Sequence, residues 1–207
     1  MNPDLQLEQA LRIKGHSRIA GIDEAGRGAL AGPVVVGAVV LPEDFVHAEL
    51  NDSKLLRPER REVLFEELIA TPGLFWTWAR IEAGEIDRIN ILAATHLGMC
   101  RVFAQLEPPA DIALVDGLSG RGMKFPHQAV VKGDSKSLSI AAASIVAKVL
   151  RDRLMRDYDR EFPNYGFATH KGYGTAHHLK QLNTYGPCTI HRQTFAPVAQ
   201  GTLPLAY

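Results

Sequence analysis

The chain is poor in several things that whole function classes require. It has two cysteines in 207 residues, Cys100 and Cys188, far apart and in no CxxC pair. A disulfide scaffold or thiolate metal knuckle is therefore not called for, although one disulfide remains compatible with the composition. Net charge is absent as well: 23 Lys and Arg balance 23 Asp and Glu. The total neither marks nor forbids a nucleic-acid partner, because an acidic metal site offsets a basic groove in the sum. No apolar stretch is long and unbroken enough to suggest a membrane span, and the N-terminus lacks a secretory-signal pattern. There is no Walker-type GxxxxGK[ST] loop, no internal repeat and no linker-like segment. These absences lead us to expect a soluble cytosolic protein with no membrane partner.

What is present is enough for one core. At 46% hydrophobic residues, 207 positions suit a single ordinary domain. A short helical lead-in is expected over residues 1–17, with Leu5, Leu7 and Leu11 on a polar background, and one catalytic-type domain over residues 18–207. Ile19 to Ile22 and Val34 to Leu41 have the character of strands joined by a glycine-rich turn, predicting a hairpin. Pro58 suits the first turn of a helix bearing Leu64, Phe65, Leu68 and Ile69 on one face. Phe75 to Ile81 is a third strand. Ile86, Ile89, Leu92, His96, Met99 and Phe103 step as one amphipathic helix, and two short apolar runs then precede a long helix from Ile140 to Tyr158. A last helix spans Thr175 to Tyr185. The pattern predicts an α/β fold, a mixed five-stranded sheet flanked by helices.

Within that pattern, acids recur at strand ends. Asp23 and Glu24 lie side by side where Ile19–Ile22 runs into the glycine-rich turn. Ile112 to Val115 ends at Asp116-Gly117, and Ala129 to Val131 passes through Lys132-Gly133 to Asp134. Crowded carboxylates at the rim of a core are costly unless something positive compensates them. In open α/β sheets functional groups gather beyond the carboxyl ends of central strands. If the three strands are neighbours, Asp23, Glu24, Asp116 and Asp134 converge, and an all-oxygen set suits Mg²⁺ or Mn²⁺ rather than zinc. Taken singly, Asp116-Gly117 is also ordinary turn chemistry and Asp134 an ordinary cap. The recurrence carries more than any one instance.

Six ordered blocks then resemble type 2 ribonuclease H (ribonuclease HII): IAGIDEAGRGALAGP from Ile19, NDSK at Asn51 to Lys54, LVDG at Leu114 to Gly117, KGDSKSLSIAAASIVAKVLRDR from Lys132, YGFATHKGYGTAHH from Tyr165 and IHRQTFAPV from Ile190. The resemblance covers nearly the whole chain. It implies a ribonuclease H-like fold and two divalent ions, Mg²⁺ or Mn²⁺, held by Asp23, Glu24, Asp116 and Asp134. One ion would help generate the attacking hydroxide and the other would stabilise the departing 3′-oxygen. The implied reaction cuts on the 5′ side of ribonucleotides in RNA–DNA hybrids and of single ribonucleotides in duplex DNA, leaving 3′-hydroxyl and 5′-phosphate ends. The implied cellular roles are removal of misincorporated ribonucleotides and of primer RNA.

By the same resemblance, Gly26, Arg27 and Gly28 sense the ribose 2′-hydroxyl, Tyr173 packs beside the junction deoxyribose, and Asn51, Ser53 and Lys54 contact phosphate. The pattern departs at Leu55, where the family commonly carries another lysine or polar residue. Lys148, Arg151, Arg153 and Arg156 spread around the long helix, so only some of them can face a duplex. No protein partner follows from the sequence, whose C-terminal QGTLPLAY shows no obvious sliding-clamp segment, and a monomer suffices.

Three rival classes are weaker. Cys188-x-x-His191 with His177 and His178 has ligand-like spacing for zinc but lacks a matching pair. An actin- or sugar-kinase-type nucleotide domain needs two such units. A binding protein that has lost its ions would not be expected to keep all four acids. Type 3 ribonuclease H, the sister family, lacks the Gly-Arg-Gly turn.

Overall fold

The computed structural model describes residues 3–47, 49–50, 56–120 and 122–200. Its sheet has strands β1 (Ile19–Ala25), β2 (Val34–Val40), β3 (Phe75–Ile81), β4 (Ile112–Asp116) and β5 (His127–Val130), in the order β3-β2-β1-β4-β5. The β1–β2–β3 meander is antiparallel, and β4 and β5 join β1 in parallel. This is the expected mixed five-stranded sheet. Helices α1 (Gln6–Ile13), α2 (Pro58–Ile69), α3 (Ala83–Ile89), α4 (Ile91–Gln105), α5 (Leu138–Glu161), α6 (Phe167–His170) and α7 (Ala176–Tyr185) surround it.

The central strands are apolar on both faces because both are covered. On one face Ala20, Ile22, Val36, Ala38, Ala113 and Val115 meet Met99 and Val102 of α4. On the other, Val39 packs with Ala142, Ile145 and Val146 of α5, and with Leu64, Phe65 and Leu68 of α2 beyond. The alanine-rich start of α5 lies unusually close to the sheet. A Cβ on Gly21 would stand 2.0 Å from the Ser139 carbonyl carbon, and one on Gly37 would stand 2.7 Å from the Ala143 oxygen.

The start of α5 cannot easily retreat. Glu8 of α1, itself buried, accepts hydrogen bonds from Ser137 Oγ (2.6 Å), Ser139 Oγ (2.6 Å) and Ser139 N (3.0 Å). Gly21→Ala is therefore expected to cost at least ~3 kcal/mol, the upper range for overpacking. A thermal melt reading a shift of only a degree or two would show that the helix–sheet contact yields more than this geometry allows.

Two elements differ from the sequence pattern. The amphipathic stretch from Ile86 to Phe103 is two helices, broken at Asn90 (φ +67°), whose side chain accepts a hydrogen bond from Ala93 N at 3.1 Å. Asparagine takes positive φ more readily than most residues and caps well. The apolar spacing runs on through the break, so periodicity alone does not reveal it. Likewise β1 extends to Ala25, placing Asp23 and Glu24 inside the strand, opposite Gly37 and Val36 of β2. Among the described residues no helix is long and apolar enough to cross a membrane.

Candidate active site

Successive strand residues point to opposite faces. Gly21 faces α5, so Asp23 does too, while Glu24 shares the α4 side with Ile22. Ile22 pairs with Val115, which brings Asp116, the last residue of β4, beside Asp23 within the adjacent parallel strand β1. Gly133 N donates to Asp116 Oδ1 at 2.6 Å, tying the turn after β5 to the end of β4. A left-handed Lys132 then leads into a 3₁₀ turn, Gly133–Ser135, that carries the buried Asp134.

The electrostatics report this convergence. Burial raises the Asp23 pKa well above the ordinary carboxylate value, and the nearby charges of Glu24, Asp116 and Asp134 raise it further, against a hydrogen bond from Glu24 N. Each opposes a second negative charge at this point. Glu24 also pairs with Arg27 at 3.1 Å.

A cleft of about 580 Å³ opens over these residues. Asp23, Glu24 and Asp116 line it together with the Gly26–Gly28 loop and Tyr173, and Arg61, Ser144 and Lys148 close its basic side. Burial lowers the Lys148 pKa, and its ammonium holds Asp152 at 2.7 Å. Asp152 also pairs with Arg61 at 3.4 Å. A larger groove of about 1120 Å³ beside α4 contains no carboxylate and lies apart from these residues.

Two arginines without exposed surface, Arg151 and Arg192, brace the cleft wall. Arg192 donates to the carbonyls of Gly26 (2.7 Å), Arg27 (2.7 Å) and Gly32 (3.0 and 3.1 Å). Arg151 donates to Pro33, Ala31 and Lys171 carbonyls, and its guanidinium lies 5.3 Å from the centre of the Tyr173 ring. Burial lowers the pKa of both, and at Arg192 the neighbouring charge of Arg151 lowers it further, to about 9. A trans peptide points its C=O and N–H in opposite directions. Drawing the carbonyls of Gly26 and Arg27 toward Arg192 therefore turns the amides of Arg27 and Gly28 the other way. Gly26 has φ +94°, and a Cβ there would stand 1.9 Å from Arg151 Nε. No other residue type fits that position.

The histidines serve packing and hydrogen bonding. His178 Nε2 lies 3.0 Å from His191 Nε2, and the rings of His170 and His178 stack at 4.4 Å. Among the described residues no three His, Cys, Asp or Glu side chains are gathered at metal-ligand geometry. The zinc alternative loses its ligands to these contacts. Burial holds both His178 and His191 down to about 4. Their ordinary value is near 6.5, so between about pH 6.5 and 4 the unfolded chain binds protons that the folded one refuses. Their contribution to stability is complete above that window and falls as pH drops through it, by at most ~3 kcal/mol for each histidine. Urea midpoints at pH 7.5, 6 and 5 should decline, and His178→Asn should flatten the decline; an unchanged slope in that variant would contradict the assignment.

The ribonuclease HII family profile matches residues 20–198. A ribonuclease HII of Geotalea daltonii is 51% identical over 196 residues, spanning 95% of this chain and 90% of its own. The chain belongs to the ribonuclease HII family. Ribonuclease H2 from Pyrococcus horikoshii has the same fold, with TM-score 0.74 at 27% identity over 89% of this chain and 96% of that one. Ribonuclease HII in a PCNA complex from Archaeoglobus fulgidus gives TM-score 0.64 at 25% identity, over 84% and 91%. The protein is thus a hydrolase, a ribonuclease H, built on a ribonuclease H-like fold.

Within this ribonuclease HII frame, Asp23, Glu24, Asp116, Gly26, Arg27, Gly28 and Tyr173 share one cleft. Asp134 is 5% exposed and stands behind it, near enough to act on Asp23. Asn51, Ser53 and Lys54, and the C-terminal residues 201–207, lie outside the described residues. Of the cations on α5 singled out in the sequence, Lys148 lines the cleft and Arg151 braces it, while Arg153 and Arg156 pair with Glu62 on α2. Arg61, Ser144 and Arg192 had no signal in spacing or periodicity. Ser144 and Arg192 sit within family blocks, and Arg61 sits in none.

Proposed function

We propose that the cleft cuts the phosphodiester on the 5′ side of a ribonucleotide, in RNA–DNA hybrids and at single ribonucleotides embedded in duplex DNA, leaving 3′-hydroxyl and 5′-phosphate ends. The observation that carries this reading is the meeting of an acid cluster with the Gly26–Gly28 loop and Tyr173 along one wall. The acids suit divalent cations by their donor chemistry, although among the described residues no three of them stand at ligand geometry. Every donor is a carboxylate oxygen, as Mg²⁺ or Mn²⁺ prefers, and the raised Asp23 pKa is the cost a cation would relieve. Asp23, Glu24, Asp116 and Asp134 would hold the ions. Bound there, divalent cations supply water activation and charge stabilisation at the leaving oxygen, so no histidine base is needed.

The chain's own groups do the selecting. The outward-turned amides of Arg27 and Gly28 approach the sugar, whose 2′-hydroxyl is what separates RNA from DNA. Arg27, half of whose side chain is exposed, adds a phosphate contact, and Lys148 and Arg61 place positive charge on the opposite rim. Tyr173, 37% exposed, packs against the neighbouring deoxyribose. Asn51, Ser53 and Lys54 extend the phosphate contacts. In this reading the protein is a cytosolic enzyme of ribonucleotide and primer RNA removal, active as a monomer.

Tyr173→Ala tests the sensing half directly. Losing a sugar-packing ring should lower kcat/KM at a single embedded ribonucleotide by ~10- to 100-fold, the scale of one base- or sugar-stacking contact. A continuous hybrid offers many registers and should suffer less. Parent-like cleavage of the single-ribonucleotide duplex by this variant would remove Tyr173 from the sensor.

A further inference from the structure

Tyr173 stands between Gly172 and Gly174, where the backbone has most freedom, and Gly172 has φ +79°. A ring used to measure a sugar cannot hang on a loose peptide, and the structure fixes both peptide planes around it. Gly172 O accepts from Leu30 N at 2.8 Å, Tyr173 N donates to His170 O at 2.9 Å, and Tyr173 O accepts from Thr175 N at 2.8 Å. The remaining bond to that carbonyl comes from His178 Nδ1 at 3.0 Å.

That bond fixes a direction along a chain of buried groups. A carbonyl can only accept, so His178 Nδ1 carries the proton and its Nε2 accepts. Its partner, His191 Nε2 at 3.0 Å, must therefore donate. The other nitrogen, His191 Nδ1, then accepts, as its 3.0 Å bond from Cys188 N–H requires. Both ends, reached independently, agree on one tautomer for each ring. His178 and His191 are 0% and 1% exposed, so water offers neither ring a ready substitute partner. The strap of residues 188–192, which carries His191, also bears Arg192, which holds the Gly26 and Arg27 carbonyls, and its Gly32–Ile190 and Leu30–Arg192 backbone bonds join it to the segment after the Gly-Arg-Gly loop.

We propose that the directed relay Cys188 N–H to His191 to His178 to the Tyr173 carbonyl is a positioning device, which sets the sensor tyrosine from the strap that also clamps the Gly26–Gly28 loop. His178 and His191 are positioning residues acting through Tyr173. The proposal rests on the role given to Tyr173 above.

A double-mutant cycle on a duplex containing one ribonucleotide separates the two claims. His178→Phe keeps the ring volume and removes the donor; kcat/KM should fall about tenfold, the scale of one buried hydrogen bond. His178→Asn, which keeps an N–H near the Nδ1 position, should recover most of that loss. In the Tyr173→Ala background His178→Phe should cost nothing further. Additive losses, with Tyr173→Ala itself impaired, overturn the relay and leave the sensor standing. A parent-like Tyr173→Ala overturns the sensor and the relay's purpose with it. Long-range ¹⁵N–¹H correlation spectra of the unmutated protein at pH 7.5 test the geometry whatever the variants' folding: His178 protonated on Nδ1 and His191 on Nε2 support the relay, and any other tautomer pair overturns it.

Discussion

Asp116→Asn should reduce cleavage at least about a thousandfold while leaving the fold intact, since withdrawing one ligand charge from a metal-assisted phosphodiester cut removes ~4 kcal/mol of transition-state stabilisation. The fold survives for a local reason. Gly133 N donates to Asp116 Oδ1, and an asparagine oxygen can accept the same bond. Stability should even rise slightly, because Asp116 is one of the charges that crowd Asp23. Binding of an RNA–DNA hybrid should persist, so kcat rather than KM carries the loss. A variant that melts like the parent and cuts within tenfold of it would take Asp116 out of the chemistry.

Arg192→Met is expected to damage stability and activity together. The side chain has no exposed surface and serves three carbonyls through four hydrogen bonds. Methionine fills similar length but donates nothing, leaving buried acceptors unmet at ~1–3 kcal/mol each. A total near ~4 kcal/mol corresponds to a melting temperature lower by on the order of 10 °C for a chain of this size. The carbonyls of Gly26 and Arg27 would then be free to turn, and the amides of Arg27 and Gly28 would turn with them, so cleavage should fall further than partial unfolding accounts for. Arg192→Lys should not rescue, because a compact ammonium cannot span three acceptors that a planar fork reaches at once. Parent-like melting of Arg192→Lys would show that the fork geometry is not what holds the loop.

These arginines mark where sequence reasoning stopped. The acids were legible because an apolar run meeting a carboxylate is a local pattern, and β2 and β3, with the helices at Pro58 and Thr175, fall where patterning places them. A buried arginine that bonds only backbone carbonyls looks, in sequence, like any surface charge. Arg151 sits on the same helix as Arg153 and Arg156, and nothing in the spacing says that one is enclosed while the others pair with Glu62. Arg61 reaches the cleft only because α2 packs across α5, a tertiary fact. The break at Asn90 is hidden for the converse reason, since its flanking apolar positions keep helical step on both sides. The histidine spacing is compatible with zinc; in three dimensions His178 bonds the Tyr173 carbonyl and His191 bonds His178.

In the proposed reading, one cleft joins metal-dependent hydrolysis to recognition of a ribose. That reading is tested most directly with a labelled DNA duplex containing a single ribonucleotide, beside an all-DNA control, each incubated with Mg²⁺, with Mn²⁺ and with EDTA. One nick is expected on the 5′ side of the ribonucleotide with either ion, none with EDTA and none in the control. Equal cutting of both duplexes, or cutting undiminished by EDTA, would contradict it.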